Sequence, residues 1–256
     1  MSERKHSALY RYVERIQGDR PWGAVLDAGT GVNSLSWLTG LETDRWTAVT
    51  GSIREANWVR GAIKTAFRSQ DKFLEGNWAD PDLLQGEAFD TVLADYLLGA
   101  IDGFAPYFQQ CLFQRLRPLT RGRLYVTGLE PYVPTLRPET KAGQLIWEIG
   151  RYRDACVLLS GQRPYREYPA QWVVDNLARS GFAVQSVKHF KISYKKRFVN
   201  AQIDLVLPGL EKHKDRTLVD ALKAHGEALR AEALALVETE GALKHCRNYV
   251  IVAEPV

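Results

Sequence analysis

The chain has 256 residues and a formal net charge of +4, with 45% hydrophobic and 25% charged residues. These values are ordinary for a globular protein and exclude a largely disordered chain. Because no apolar run reaches the roughly 18 residues of a bilayer span, and the charged N-terminal stretch lacks an apolar signal core, we expect a cytoplasmic protein without a membrane span.

The first predicted element is an amphipathic helix over residues 2–17. Its apolar residues Leu9, Val13 and Ile16 recur at helical spacing, so this face must pack on the rest of the protein. Gly18 is typical of a residue that ends a helix, and the apolar run WGAVLD after it predicts the first strand.

The stretch VLDAGTGVNSLSWL, residues 25–38, predicts that this strand ends at Asp27, turns at Gly29 and Gly31, and leads into a helix. Glycines let a ligand approach the backbone closely, and the free N–H groups at a helix start carry positive partial charge. A dinucleotide site needs a third glycine and an acid after the second strand. Ser34 and the acid-free segment TAVTGS stand there instead. The carboxylate beside the turn is better matched by a ligand that carries a positive charge.

A D-x-G-x-G motif at the end of a first strand resembles that of the Rossmann-like, class I S-adenosylmethionine-dependent methyltransferases. The resemblance covers residues 22–128 in strand order and the remainder only in outline. It implies an α/β fold, a three-layer Rossmann-like sandwich whose mostly parallel seven-stranded sheet has helices on both faces and a helical lid. It also implies S-adenosylmethionine as cofactor and S-adenosylhomocysteine as product, with cofactor contacts from Asp27, Gly29, Thr30 and Gly31.

The second and third strands, predicted at WTAVT and KFLE, depart from the family pattern at their ends. Methyltransferases of this family usually have an acid after the second strand for the ribose and often one after the third for the adenine amine. Gly51 and Asn77 hold these positions here. We therefore expect Ser52, Glu55 or a water molecule at the ribose. The Asn77 amide oxygen and the Trp78 ring are expected at the adenine.

The fourth and fifth strands are predicted at FDTVLA and GRLYVTG. Side chains just past the carboxyl ends of strands in such a sheet face the ligand, so we expect Asp95, Tyr96, Glu130 and Tyr132 near the transferring methyl group. Asp95 and Tyr96 are expected to contact the cofactor as well. A carboxylate there is suited to act as general base or to hold a cationic substrate, and a surface position is the alternative for Glu130. Tyr10 of the first helix is expected to close over the cofactor, with simple packing as its alternative.

Two helices are predicted between the fifth and sixth strands, although one is enough for the crossover. The additional helix is interpreted as a lid that shapes the acceptor pocket, and together with the end of the sixth strand it gives four candidate substrate residues: Trp147, Arg151, Tyr152 and Tyr194. Aromatic and basic side chains in this number favour an aromatic or anionic small-molecule acceptor.

The segment KHFKISYKKRF, residues 188–198, interleaves basic and aromatic residues. Such a composition is found in surfaces that bind single-stranded nucleic acid, and also in edge strands that lysines protect from aggregation. We favour the edge strand, so a nucleic-acid partner is possible but not favoured. A further strand is predicted at 200–207, and a long amphipathic helix at 215–238 is expected to pack on the domain or on a second subunit, giving a monomer or a homodimer.

No repeat or low-complexity linker divides the sequence, so we expect a single methyltransferase domain. Its predicted parts are the N-terminal cap helix at 1–20, the lid insertion at 132–170 and the helical insertion before the last strand at 208–244. The three cysteines are widely spaced and form no CxxC motif, which predicts neither a disulfide framework nor a metal site.

The expected activity is direct methyl transfer to a nitrogen or oxygen of a small molecule. An RNA or protein methyltransferase is one alternative. A catalytically degenerate binding scaffold is another, because Gly51 and Asn77 replace two expected acids.

Overall fold

The computed structural model describes residues 7–51, 53–63, 67–133 and 136–256, and the side chains of residues 53–56 are not described. The chain divides into two compact units. The first, called the sheet unit here, comprises Met1–Leu129, Arg166–Phe190 and Asn248–Val256. The second, called the helical unit, comprises Glu130–Tyr165 and Lys191–Arg247.

A seven-stranded sheet with the order β3-β2-β1-β4-β5-β7-β6 forms the centre of the fold. Strands β1 to β5 pair in parallel, and β7 is antiparallel to β5. This topology confirms the predicted mostly parallel seven-stranded α/β sheet. The strands are β1 (Ala24–Asp27), β2 (Arg45–Thr50), β3 (Lys72–Glu75), β4 (Phe89–Asp95), β5 (Thr120–Leu129), β6 (Phe182–Tyr194) and β7 (Leu243–Pro255).

The described helices fall into two groups along the chain. Those that begin in the sheet unit are α1 (Ala8–Gln17), α2 (Val32–Leu38), α3 (Ile53–Ala62), α4 (Leu97–Ala100), α5 (Gln109–Leu116) and α7 (Ala170–Arg179). Those of the helical unit are α6 (Lys141–Leu159), α8 (Lys196–Asp204), α9 (Leu207–Leu210) and α10 (Arg216–Glu240). None of these helices is long and apolar enough to cross a membrane.

Two apolar clusters cover the two faces of the sheet, because successive side chains of a strand point to opposite faces. Val25 and Leu93 belong to the cluster that includes residues of α1 and α2. Leu26 and Val92 belong to the other cluster, with residues of α5 and α7. The sheet unit therefore has the three layers that the sequence predicted.

The strand predicted at residues 200–207 is wrong. Helix α8 covers Lys196–Asp204, and its buried residues Val199 and Ile203 are four positions apart, which is the spacing of one helix face rather than of a strand face. The long amphipathic helix predicted after it is present as α10. The Asp215 side chain caps α10 by accepting a hydrogen bond from the Leu218 N–H at 3.0 Å, and Gly241 ends the helix with a φ of 78°.

Candidate functional site

A pocket in the sheet unit lies at the carboxyl ends of β1, β2 and β3. Its empty volume is about 450 Å³, which includes space open to solvent. Backbone from all three strand ends reaches the pocket, including Gly29, Gly51 and Gly76. Its wall is mostly apolar, with side chains from Val49, Trp78, Leu97, Ile101 and Phe104. Such a pocket is suited to a flat, largely apolar group.

Hydrogen bonds from neighbouring elements fix the glycine turn after β1. The Thr30 N–H donates to the Val49 carbonyl at 2.8 Å, and the Trp78 Nε1–H donates to the Ala28 carbonyl at 2.7 Å. A Cβ at Gly29 would lie 2.9 Å from the Leu97 side chain, whereas a Cβ at Gly31 would meet no atom within 4 Å. Leu97 therefore leaves room only for glycine at position 29, whereas position 31 has open space next to it in the described structure.

Phe104 lies against the backbone at the end of β2. A Cβ at Gly51 would lie 2.7 Å from the Phe104 ring, so the ring takes the space that a longer side chain at that position would need. The Asn77 Nδ2 donates to the Phe104 carbonyl at 2.8 Å. The Asn77 Oδ1 accepts from the Ala79 N–H at 3.0 Å. Because an amide oxygen has two lone pairs, one acceptor position of Asn77 remains for a ligand.

Phe104 was not predicted as a pocket residue, since a single aromatic residue nine positions past a strand gives no signal of its place in a pocket. Trp78 was predicted as a site residue; it lines the pocket and holds the turn through its indole N–H. Ser52, the residue predicted to meet a ribose, lies outside the described residues, and so does the Glu55 side chain.

Asp27 ends β1 and is fully buried. Neither of its carboxylate oxygens has a hydrogen-bond partner among the described residues. The pKa of Asp27 is raised to about 7, mainly by burial and also by the negative charge of Asp95, while the nearby Ser34 and Thr30 side chains and the Gly29 backbone oppose the shift only in part. A buried carboxylate without donors is costly unless it is protonated or meets a cation. The site is therefore prepared for a positively charged group beside the turn.

Asp95 ends β4 and differs from Asp27 in its partners. Its Oδ1 accepts a hydrogen bond from the Thr127 hydroxyl at 2.5 Å, and its Oδ2 accepts one from the Tyr10 hydroxyl at 2.7 Å. Tyr10 stacks on Trp37 with 4.9 Å between ring centroids, which fixes helix α1 beside the strand ends. Burial raises the pKa of Asp95 above its ordinary value, and its two donors offset this rise in part.

Tyr96 has a strained backbone next to Asp95. Its φ of 49° lies in the left-handed region, and its N–H donates to the Thr127 carbonyl at 3.2 Å. Burial is the main reason why the pKa of Tyr96 is raised, and the carboxylates of Asp95 and Glu167 add to the effect. The Tyr96 phenol is therefore neutral at physiological pH. Strained residues of this kind are frequent at functional sites.

The other two predicted catalytic residues belong to the helical unit. The Glu130 N–H donates to the Arg247 carbonyl at 2.9 Å, and its own carbonyl accepts from the Cys246 Sγ at 2.8 Å. The Tyr132 hydroxyl accepts a hydrogen bond from Arg153 Nη1 at 3.1 Å. These contacts fix the backbone of Glu130 and the ring of Tyr132 within their own unit.

The predicted substrate residues have different surroundings within the helical unit. The guanidinium of Arg151 lies over the Trp147 ring, 4.3 Å from its centroid, and Arg151 is exposed. Tyr152 is buried, and its hydroxyl lies 2.5 Å from a Cβ built at Gly226 of α10. Tyr194 is buried beside Phe198, with 4.2 Å between ring centroids. Only the first two residues present an accessible aromatic and cationic surface.

No family model matches the sequence, and no curated protein matches it. Solved structures match over nearly the whole chain. A candidate methyltransferase from Bacillus halodurans is 11% identical with a TM-score of 0.59, and the match covers 97% of this chain and 99% of that one. Magnesium protoporphyrin IX methyltransferase from Synechocystis, crystallised with S-adenosylhomocysteine, is 16% identical with a TM-score of 0.52, over 96% of this chain and 80% of that one. The chain has the fold of the class I methyltransferases.

The methyltransferase fold does not by itself fix the reaction. The [4+2]-cyclase SpnF is 15% identical with a TM-score of 0.51, and the match covers 96% of this chain and 80% of that one. Its name describes a ring-forming reaction on the same fold, so the chemistry must be argued from the site. Among the described residues, no group of three or more His, Cys, Asp or Glu side chains is placed to hold a metal ion.

Proposed function

We propose that the chain is an S-adenosylmethionine-dependent methyltransferase that acts on a nitrogen or oxygen atom of a small molecule. The observation that carries this proposal is Asp27 in the methyltransferase fold. It is a fully buried carboxylate next to a glycine turn, and it has no hydrogen-bond partner among the described residues. S-adenosylmethionine combines an ammonium group with an adenosine. The buried carboxylate fits the first, and the apolar pocket fits the second.

The residues of the pocket suit an adenosine group. Trp78 and Phe104 offer aromatic surface for the adenine ring, and the free lone pair of the Asn77 amide oxygen suits the adenine amine. The open space at Gly31 leaves room for the ligand to pass close to the backbone. These features support the predicted cofactor contacts of Asn77, Trp78 and the turn.

Bound S-adenosylmethionine supplies a methyl group that its sulfonium already activates. The protein then chiefly has to hold the acceptor in line and exclude water, and such positioning contributes about 7–11 kcal/mol in well-oriented systems. Asp95 and Tyr96 are proposed for this role, because two donors fix the Asp95 carboxylate and the Thr127 carbonyl fixes the Tyr96 backbone. Glu130 is proposed either as general base or as the partner of a cationic acceptor, and Tyr132 is a proposed neighbour of the acceptor.

A small-molecule acceptor agrees with two further observations. The exposed Arg151 over the Trp147 ring provides one cation and one aromatic face, which suits an aromatic or anionic acceptor. The Synechocystis neighbour is named for a small-molecule substrate as well. By contrast, the exposed Lys188 and Lys191 lie on β6, the last strand in the sheet order, where lysines protect an edge. This position gives an RNA acceptor no support.

Calorimetric titration with S-adenosylmethionine, S-adenosylhomocysteine and NADH tests the cofactor. We expect micromolar binding of the two adenosyl compounds and none of NADH. A screen of aromatic amines, phenols and carboxylates, measured by release of S-adenosylhomocysteine, then tests the acceptor. Binding without turnover across that screen would support a degenerate scaffold, and failure of both adenosyl compounds to bind would contradict the proposed function.

A further inference from the structure

We propose that the two strand-end aspartates have separate roles: Asp95 is held as a carboxylate by fixed donors, whereas Asp27 carries a proton that it releases when a ligand ammonium group binds beside it. The inference rests on the proposed binding of an adenosyl amino acid. It adds Thr127 to the site as a positioning residue that acts through Asp95.

The partners of Asp95 come from two separate elements. Asp95 pairs directly with Thr127 in the register of β4 and β5, which brings the Thr127 hydroxyl to 2.5 Å from Oδ1. Helix α1 brings the Tyr10 hydroxyl to 2.7 Å from Oδ2. Each oxygen thus has a donor, and hydrogen bonds to the ionised form favour it over the protonated form.

The Thr30 and Ser34 hydroxyls lie near Asp27, but both donate hydrogen bonds to backbone carbonyls. The Thr30 hydroxyl donates to the backbone carbonyl of Asp27, at 3.2 Å, and not to the carboxylate. The Ser34 hydroxyl accepts from the Gly31 N–H at 3.0 Å and donates to the Gly31 carbonyl at 3.2 Å. Both Asp27 oxygens are left without a partner in the described part of the chain. Protonation removes the charge that burial penalises most.

Among the titratable groups around Asp27, one carboxylate increases the free-energy cost of ionising Asp27. Asp95 of β4 adds a negative charge, and Tyr10 of α1 and Tyr96 before α4 have neutral phenols whose pKa values are raised by burial and by neighbouring carboxylates. No ion pair found between described residues involves Asp27 or Asp95. The direction of the Asp27 pKa, raised to about 7, agrees with a proton held in the ligand-free site.

Binding then becomes an exchange of positive charge. The Asp27 O–H bond breaks, its proton passes to solvent buffer, and the carboxylate pairs with the ligand ammonium, so that the net charge inside the site is conserved. Ligands without the amino group do not drive this exchange. Proton release therefore distinguishes contact with Asp27 from binding in the adenosine pocket alone.

Titration calorimetry in buffers of different ionisation enthalpy measures this release, because the apparent binding enthalpy changes with the buffer in proportion to the protons transferred. With S-adenosylhomocysteine we expect release of about half a proton at pH 7, approaching one at pH 6 and falling toward zero at pH 8. 5′-Methylthioadenosine, which lacks the amino acid, should release none, and neither should the Asp27→Asn variant.

Thr127→Val and Thr127→Ser form the matched pair for the positioning residue. Valine removes a donor from Asp95 and so favours its protonated, neutral form. Because the negative charge of Asp95 raises the pKa of Asp27, that pKa then falls, and ligand binding at pH 7 should release fewer protons than in the native protein. Serine keeps the hydroxyl and should restore the native proton count, which a purely structural role of Thr127 would not predict. Micromolar S-adenosylhomocysteine binding without proton release at pH 6 and 7 would overturn this inference alone. Absence of binding would overturn the proposed function with it.

Discussion

The carboxyl ends of β1 and β4 lie next to each other in the sheet, and each ends in an aspartate. The fold provides Asp95 with two hydroxyl donors, but no described residue donates to either oxygen of Asp27. Both side chains are part of the same parallel sheet, so the difference does not come from the architecture. It comes from which side chains the neighbouring elements bring to each strand end.

The two glycines of the turn show the same contrast. Leu97 fills the space next to Gly29, whereas no atom of the described chain fills the space next to Gly31. In each pair, the described protein supplies neighbours to one residue, Asp95 or Gly29. It supplies no corresponding donor to Asp27 and no corresponding packing atom to Gly31. A buried acid without a partner, four residues before a turn glycine that has open space next to it, is the arrangement expected of a ligand site, since buried polar groups with a structural role usually have hydrogen-bond partners.

Replacement of Asp27 by Asn should have the largest effect. Because the pKa of Asp27 is raised from 3.8 to about 7, the folded state binds its proton more tightly than the unfolded state, and native stability is lost as the pH rises through that range. The cost at pH 8 is on the order of 4 kcal/mol. Asp27→Asn does not titrate, so the ligand-free variant should exceed the native protein in unfolding free energy by an amount that grows from pH 4 to pH 7.

Chemical denaturation at pH 5 and pH 8 measures this difference, and calorimetry measures the loss of ligand affinity that accompanies it. Affinity for S-adenosylhomocysteine should fall at least tenfold, because a charge-assisted contact contributes about 1.5–3 kcal/mol. A variant that is less stable than the native protein at pH 8 would show that Asp27 has partners in the folded chain.

Valine substitutions at the two turn glycines separate packing from ligand contact. Gly29→Val should destabilise the protein by about 1–3 kcal/mol, because its side chain overlaps Leu97. Gly31→Val should leave thermal stability nearly unchanged and should abolish binding of S-adenosylhomocysteine. Normal binding by a folded Gly31→Val variant would place the ligand away from the turn.

Tyr10→Phe should have an intermediate effect, because it removes one of the two donors to Asp95. We expect a loss of about 1–2 kcal/mol of unfolding free energy. Loss of the donor raises the pKa of Asp95 further, so the destabilisation should be larger at pH 8 than at pH 6. Equal losses at the two pH values would indicate that the Tyr10 hydroxyl contributes through packing with Trp37 and not through Asp95.

Asn77→Ala should have the smallest effect of the set. It removes the hydrogen bonds to the Phe104 carbonyl and from the Ala79 N–H on a partly solvated loop, at a cost of about 1 kcal/mol. Binding of S-adenosylhomocysteine should weaken several-fold, while inosine-based analogues without the adenine amine should bind the native and variant proteins alike. The same loss for both ligands would exclude a contact with the amine.

The sequence predicted the sheet and the turn because strand patterns and the D-x-G-x-G motif are local signals. It predicted Asp27 as a site residue for the same reason, through its position beside two glycines. Thr127 and Phe104 were missed, since the first reads as an ordinary strand residue and the second as part of a helix predicted over 104–116, which in the structure covers only Gln109–Leu116. Their roles depend on the pairing of β4 with β5 and on the return of the chain to the end of β2. Residues 200–207 were misassigned because a short apolar run fits both a strand and a helix.

We propose that Asp27 and the apolar pocket bind the two ends of one adenosyl amino acid. A crystal structure of the protein with S-adenosylhomocysteine would show both contacts. The ligand amino group should lie within hydrogen-bonding distance of the Asp27 carboxylate, with the adenine against Trp78 and Phe104. An adenine bound outside this pocket, or an amino group that contacts other residues while Asp27 stays without a partner, would contradict the claim.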